Sequence, residues 1–236
     1  MEKVPLKGGR PFYGYKLGVL LLNTRFPRIV GDPGNAATYD CPVIFKVVER
    51  ATVSEIVRSS IDEDVVDQLK KAAKELEAAG VSAITTSCGF LAILQEELAA
   101  AVKVPVYTST LLLVPLAFIS TGRPVGVLTA NSRALTRRHF EAASTSSTIP
   151  VRVKGLEDKP EFRRVILQNT PEMDVESMRR DIREAAGELL SEHPDIGAVV
   201  CECTNLAPFR NEIKNATSLP VYDYLTLVRI ALDSAS

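Results

Sequence analysis

The segment AITTSCGFLAILQEELAAAVKVPVY, residues 83–107, has a counterpart 115 residues later in AVVCECTNLAPFRNEIKNATSLPVY, residues 198–222. In this register Cys88 falls on Cys203, and both segments end in Pro-Val-Tyr. The remaining matches are Leu91 with Leu206, Ala92 with Ala207, and Glu97 with Glu212. Self-similarity at a fixed spacing is the signature of a repeated structural unit. The sequence therefore predicts two related halves.

Each half opens on a continuous apolar run, KLGVLLLN at residues 16–23 and PVGVLTAN at residues 124–131. Such runs are typical of strands that are buried on both faces of a parallel sheet. Strand patterns then alternate with helical patterns of ten or more residues, which indicates βαβ units. The predicted fold class is α/β, with two pseudo-symmetric duplicated domains, each a mainly parallel sheet flanked by helices. The predicted domains are 1–118, joined by a C-terminal helix at 223–236, and 119–222.

The boundaries of the predicted elements follow from apolar periodicity and from the residues that start and stop helices. The predicted strands are 16–23, 42–48, 81–86, 104–107, 124–131, 150–153, 196–201 and 219–222. The predicted helices are 61–79, 90–102, 110–120, 133–143, 174–190, 206–215 and 225–232. The first of these helices is the clearest, because acidic residues occupy its first turn and Gly80 follows its end.

The composition favours a globular protein with a small-molecule partner. A formal net charge of −1, from 28 basic and 29 acidic residues, gives no electrostatic basis for binding nucleic acid or an anionic membrane. No apolar run approaches the ~20 residues that span a bilayer, and no signal-peptide pattern is present, so a cytoplasmic location is expected. The four cysteines are expected to be thiols, and their spacing fits no zinc pattern. Neither a metal nor any other cofactor is expected.

Cys88 and Cys203 are the predicted catalytic residues. Each follows the third strand of its half, and in open α/β sheets ligands bind beyond the carboxyl ends of the strands. Each also precedes a predicted helix, whose N-terminal amides should favour a thiolate and hold a substrate carboxylate. If the halves face each other, one thiolate removes a proton from one face of a carbon acid and the opposite thiol returns one to the other face. Cys41 and Cys201 have no partner under the repeat and are expected to be packing residues.

Polar residues beside the strand ends are the predicted substrate-binding residues. They are Asn23, Asn35, Thr38, Thr86, Ser87, Gly89, Asn131, Ser132, Thr204 and Asn205. Several have an alternative role, because asparagine and threonine also cap helices. The turn-rich loop 24–40 should overhang the cleft, where Arg25 or Arg28 would supply positive charge. The side chain of Glu202 either belongs to the site or is a solvated residue at a strand end.

The duplicated α/β pattern, the Thr-Thr-Ser-Cys-Gly segment at 85–89 and the Cys-Thr-Asn segment at 203–205 resemble the aspartate/glutamate/hydantoin racemase superfamily. The resemblance covers nearly the whole chain. It implies two pseudo-symmetric domains with the site between them, two catalytic cysteines, no cofactor and a homodimer. Some motifs depart from the common ones. Cys88 is followed by Gly-Phe and not by Asn-Thr, Asn23-Thr24 replaces Asp-Ser, and Asn205 replaces a histidine.

The leading interpretation is a cofactor-independent racemase or epimerase that acts on an amino acid or a related carbon acid. The resemblance leaves a second class open, because the superfamily includes a maleate isomerase, a dimethylsulfoniopropionate lyase and decarboxylases. Retention of both cysteines argues against the single-cysteine pattern of the decarboxylases. A non-catalytic binder of small molecules is the third alternative, although ligand binding alone does not require two thiols. The expected partners are a small carboxylate substrate and a second copy of the chain.

Overall fold

The computed structural model describes residues 8–235, and its strands form two four-stranded parallel sheets. Residues 1–7 and 236 of the predicted domains lie outside the described residues. The first sheet has the order β2-β1-β3-β4, and the second has the equivalent order β6-β5-β7-β8. The strands are β1 (Leu17–Leu22), β2 (Val43–Val48), β3 (Ala83–Thr86), β4 (Val106–Tyr107), β5 (Val125–Thr129), β6 (Val151–Gly155), β7 (Ala198–Cys201) and β8 (Val221–Tyr222). This arrangement confirms the predicted α/β class and its two related sheets.

The sheet registers reproduce the spacing of 108 residues that separates the two opening apolar runs, 16–23 and 124–131. Leu17 pairs with Val43 in the first sheet, and Val125 pairs with Val151 in the second. Both pairs are related by the offset of 108 residues. The central strands β1, β3, β5 and β7 are buried almost throughout, which explains their continuous apolar sequences.

Helices cover both sheets. The α-helices are α1 (Val53–Ile56), α2 (Glu63–Ala79), α3 (Gln95–Ala101), α4 (Val114–Thr121), α5 (Arg137–Ala142), α6 (Pro160–Phe162), α7 (Val175–Glu192), α8 (Arg210–Thr217) and α9 (Tyr224–Ser234). The 3₁₀-helices are Ala36–Thr38, Gly89–Leu94, Thr110–Leu113 and Thr204–Phe209. Helix α2 ends where Gly80 adopts a left-handed φ of 90°. Helix α7 begins where the side chain of Asp174 accepts hydrogen bonds from two backbone N–H groups.

The structure differs from the predicted elements at several helices. The predicted helices at 90–102, 110–120 and 206–215 each begin with a 3₁₀-helix before the α-helical part. The predicted helix at 133–143 is shorter, because α5 starts only at Arg137. Four further elements were not predicted: the 3₁₀-helix Ala36–Thr38, α1, α6 and the π-helical turn Arg163–Leu167. Asp181 of α7 accepts hydrogen bonds from the Glu161 and Phe162 amides of α6, a long-range contact that no local pattern reveals.

The two halves share a continuous hydrophobic core. A single cluster of buried side chains includes residues from both sheets, such as Leu20 and Ile84 in the first and Val127 and Val200 in the second. Helix α9 returns to the first sheet, where Tyr224, Val228 and Ala231 join a second cluster with side chains of β1 and β3. Along residues 8–235, every helix is too short or too polar to cross a membrane.

Candidate active site

Cys88 and Cys203 occupy equivalent positions in the two halves and line the same cavity. Each is the extended residue that precedes a 3₁₀-helix, Gly89–Leu94 after Cys88 and Thr204–Phe209 after Cys203. The cavity also has an apolar wall to which Phe26, Phe90 and Ile166 contribute. Its volume of about 20 Å³ is close to that needed by one water molecule. The structure therefore brings the two predicted catalytic thiols together in a narrow, largely apolar site.

Backbone amides face both thiols from repeat-equivalent positions. The N–H of Phe90 contacts the Cys88 sulfur, and the N–H of Asn205 contacts the Cys203 sulfur. The thiol of Cys203 in addition donates to Oδ1 of Asn205 at 3.7 Å. The amide of Asn205 is oriented by Asp32, whose Oδ2 accepts from Nδ2 at 2.7 Å. Asp32 thus holds the Asn205 oxygen toward Cys203.

The electrostatic environment raises the pKa of both thiols. Burial raises the pKa of Cys88 to about 12, and the nearby Glu202 carboxylate adds to the rise. Burial also raises the pKa of Cys203 well above its usual value, again with a contribution from Glu202. The amides and, at Cys88, the Arg28 guanidinium act in the opposite direction but are outweighed. The amides favour the thiolates as predicted, but desolvation disfavours the charge more, so the net shift of both pKa values is upward.

Glu202 is a buried carboxyl group in the wall of the cavity. Its Oε2 accepts a hydrogen bond of 2.6 Å from the hydroxyl of Thr129, at the end of β5. Its Oε1 is buried and has no hydrogen-bond partner among the residues that the structure describes. Burial raises the pKa of Glu202 to about 7, although the Thr129 hydroxyl and the Ala130 N–H favour the charged form. Of its two possible roles, the structure places Glu202 in the site.

The two halves meet directly beneath the thiols. The hydroxyl of Thr204 donates to the carbonyl of Ser87 at 2.7 Å, and the hydroxyl of Thr110 donates to the carbonyl of Cys201 at 2.5 Å. A side chain at Gly89 would collide with the backbone carbonyl of Glu202. The absence of a side chain at this position therefore allows the two cysteine loops to approach each other.

The loop of residues 24–40 closes one side of the cavity. Thr24, Phe26 and Arg28 line the cavity, and Arg28 lies over the Phe26 ring at 4.5 Å. The guanidinium of Arg28 pairs with the buried Asp32 at 2.7 Å and donates to the Thr24 hydroxyl at 2.6 Å. Arg28 is thereby held in place as a cation beside Cys88.

Substitution of Asp32 by alanine tests this anchoring. The variant loses the partners of the Arg28 guanidinium and of the Asn205 amide at once, as well as the hydrogen bond from the Gly34 N–H. We expect the free energy of unfolding to fall by about 2 kcal/mol, since hydrogen bonds to charged groups contribute roughly that much. Chemical denaturation measures the loss, and an unchanged midpoint would show that Asp32 does not anchor the loop.

The predicted substrate-binding residues fall into two groups. Ser87, Gly89, Thr204 and Asn205 line the cavity. The other six lie outside its lining: Asn23, Asn35, Thr38, Thr86, Asn131 and Ser132. Their contact with a ligand stays a prediction.

The side chains of these six residues make contacts within the protein. Asn23 donates to Glu49, and Ser132 donates to Glu157. Asn35 caps the 3₁₀-helix Ala36–Thr38, and Thr38 bonds to the backbone of its own loop. Thr86 donates to the carbonyl of Thr108, and Asn131 accepts from the N–H of Arg133.

Sequence reasoning missed the part that Asp32 plays in the site and left that of Glu202 undecided. In the sequence Asp32 is one residue of the turn-rich loop 24–40, and its side chain does accept a hydrogen bond from the N–H of Gly34 within that loop. Asp32 and Asn205 are 173 positions apart in the sequence, so no local pattern reveals their hydrogen bond.

Of the remaining cysteines, Cys201 is fully buried in β7 and Cys41 is partly exposed. Residues 8–235 contain no cluster of three side chains suited to hold a metal ion.

Several curated proteins are similar to the chain in sequence, although no family model matches it. It is 31% identical to a dimethylsulfoniopropionate lyase of Durusdinium sp. clade D, over 88% of this chain and 70% of that protein. It is 27% identical to dimethylsulfoniopropionate lyases 7 and 6 of Emiliania huxleyi, over 89% and 92% of this chain. The chain covers 64% and 59% of the lengths of these two proteins.

Solved structures with the same fold include a racemase and a decarboxylase. A glutamate racemase isoform from Bacillus anthracis superposes with a TM-score of 0.65 and 18% identity, over 93% of this chain and 80% of that one. Unliganded arylmalonate decarboxylase superposes with a TM-score of 0.60 and 15% identity, over 94% and 93% of the two chains. These structures show that the chain shares their fold. The sequence identity to the dimethylsulfoniopropionate lyases shows the family to which the chain belongs. The chain belongs to the family of the dimethylsulfoniopropionate lyases and shares its fold with the glutamate racemase and the arylmalonate decarboxylase.

Proposed function

We propose that the chain is a cofactor-independent lyase that removes a proton next to the carboxylate of a small substrate and expels a β-substituent. The observation that carries this proposal is the pair of thiols, one from each half, in the wall of one narrow cavity. Dimethylsulfoniopropionate is the first substrate to test, because the relatives with 31% and 27% identity are named for its cleavage.

Cys88 is the better placed of the two thiols to act as the base. It is partly exposed whereas Cys203 is buried, and the guanidinium of Arg28 favours its anion. The Cys203 thiol donates to Asn205, which keeps the proton on its sulfur. In the proposed reaction the Cys88 thiolate takes a proton from the carbon next to the carboxylate. The carbon–sulfur bond to the sulfonium group then breaks, its electron pair leaves with dimethyl sulfide, and acrylate remains.

Arg28 is the proposed anchor for the substrate carboxylate. It is the one cationic side chain among the described residues that line the cavity. Its planar guanidinium is suited to bind a carboxylate through two hydrogen bonds. The backbone amides that follow each cysteine would stabilise the negative charge that develops on the carboxylate as the proton leaves.

Racemisation or epimerisation of an amino acid is the second candidate. The equivalent positions of Cys88 and Cys203 under the repeat favour it, since stereoinversion needs an acid and a base on opposite faces of one carbon. The assembly of the chain into a homo-oligomer and its cytoplasmic location stay predictions in either case. Both candidates are cofactor-independent as we propose them.

One nuclear magnetic resonance experiment in D₂O separates these reactions. The protein is incubated with dimethylsulfoniopropionate, with single enantiomers of aspartate and glutamate, and with a substituted hydantoin. The lyase proposal expects the alkene signals of acrylate and a matching loss of the sulfonium substrate. An amino-acid product that carries deuterium at its α-carbon and contains both enantiomers would identify the protein as a racemase and contradict the lyase proposal. No change in any substrate would contradict both.

A further inference from the structure

Glu202, which directly precedes Cys203, has no equivalent carboxylate in the other half of the site. Under the 115-residue repeat its counterpart is Ser87, an uncharged residue whose hydroxyl accepts from the N–H of Leu22. Glu202 is fully buried, and nothing in the reaction outlined above uses it. A buried carboxyl group with an unpaired oxygen is costly, so a role in the site would account for its retention.

The groups that face Glu202 come from both halves. Its Oε2 is held by Thr129, which leaves Oε1 as the free acceptor. Oε1 of Glu202 lies against Gly89, the residue after Cys88, and the Cys203 thiol follows Glu202 directly in sequence, so that all three side chains line one cavity. The other charged side chains that act on the thiols are Arg28, which acts on Cys88, and Asp32, which acts on Cys203. Of the charged groups that act on each thiol, Glu202 has the largest influence.

We propose that Cys88, Glu202 and Cys203 share a single negative charge, and that Glu202 accepts the proton which a thiol gives up. In this step the S–H bond breaks, its electron pair stays on sulfur, and an O–H bond forms at Oε1 of Glu202. The resting charge lies on the carboxylate, and the reactive thiolate exists when the carboxyl group carries the proton. The use of this thiolate in catalysis rests on the proposed function, whereas the sharing of the proton does not.

The arrangement fixes how the amount of thiolate varies with pH. Below the pKa of Glu202, about 7, all three groups are protonated and each pH unit raises the thiolate population about tenfold. Above that pH the cluster has already lost its one proton. The ratio of thiolate to carboxylate is then set within the cluster and no longer by the solvent. The thiolate population therefore changes little with pH until the cluster loses its second proton. A plot of thiolate population against pH shows this interval as a shoulder.

The test follows alkylation of Cys88 by iodoacetamide between pH 5 and pH 9, quantified by peptide mass spectrometry without any substrate. In the wild-type protein we expect the rate to rise about tenfold per unit below pH 7 and less than tenfold in total from pH 7 to pH 9. In Glu202→Gln we expect a rise of about a hundredfold over the same two units, because no carboxyl group shares the proton. Cys41, remote from the cluster, is the internal reference and should show no shoulder in either protein.

Two further variants complete the design. Thr129→Val removes the hydroxyl that favours the Glu202 carboxylate, so the shoulder should begin at a higher pH. Asp181→Asn is the control, because Asp181 is a buried carboxylate that caps α6 and does not line the cavity. In this variant the shoulder in the alkylation rate should begin at the same pH as in the wild-type protein. If Glu202→Gln fails to fold, the shift in Thr129→Val decides the question.

The proposal is overturned if the wild-type rate rises about tenfold per unit through pH 7 without a shoulder. It is equally overturned if the shoulder persists in Glu202→Gln. A wild-type protein that shows the shoulder but cleaves no substrate would contradict the proposed function alone.

Discussion

Substitution of Cys88 by alanine is expected to lower kcat for the cleavage of dimethylsulfoniopropionate by 10²–10⁴-fold, the usual contribution of a general base. Alanine removes the sulfur that takes the proton but leaves a similar volume in a partly exposed position. Substitution of Cys203 by alanine should cost only about tenfold, because in elimination the second thiol has no proton to return. Release of dimethyl sulfide into the headspace measures both effects.

The two single variants also separate the lyase from the racemase. A two-base racemase loses its activity in either variant, whereas the lyase depends mainly on Cys88. Cys41→Ala is the matched control, since Cys41 lies outside the cavity lining and should keep wild-type turnover. Near-normal activity in Cys88→Ala would contradict its role as the base.

Substitution of Gly89 by alanine is the second change with a large expected effect. The new methyl group would meet the backbone carbonyl of Glu202, which cannot move without separating the cysteine loops of the two halves. We expect a loss of about 3 kcal/mol in the free energy of unfolding, at the upper end of the usual cost of overpacking. Activity should fall with it, because the separation would displace both Cys88 and Cys203. Thermal denaturation and the dimethyl sulfide assay measure the two losses.

Gly187→Ala is the matched control for this prediction. Gly187 lies within α7, and a Cβ there meets no atom within 4 Å. Alanine is favoured over glycine inside a helix, so this variant should gain about 0.5–1 kcal/mol. A Gly89→Ala protein as stable as the wild type would show that the close approach of the two loops is not required.

Much of the fold could be predicted because its signals are local. The apolar runs at β1 and β5 mark strands buried on both faces, and the repeat relates them to each other. The same repeat identified Cys88 and Cys203, whose shared cavity follows from equivalent positions in two facing halves. Periodicity and registration were therefore sufficient for the sheets and for the two thiols.

The remainder of the site depends on contacts between distant segments. The pairing of Asp32 with Asn205 and of Glu202 with Thr129 joins residues that no local pattern relates. The net shift in the pKa of Cys88 could not be predicted for the same reason. A helix terminus can be recognised in the sequence, but the depth of burial and the charge of Glu202 cannot. Polar residues at strand ends, such as Asn23, form hydrogen bonds with neighbouring residues as readily as with a ligand. The sequence alone therefore does not separate the two roles.

The central claim is that a thiol of this cavity removes the proton next to a substrate carboxylate. The most direct measurement compares the cleavage of dimethylsulfoniopropionate with that of the substrate carrying two deuterons at this carbon, with product analysis in the same samples. The account predicts acrylate and dimethyl sulfide in equal amounts, and a lower kcat/KM for the deuterated substrate. Formation of 3-hydroxypropionate in place of acrylate, with equal rates for the two substrates, would contradict it.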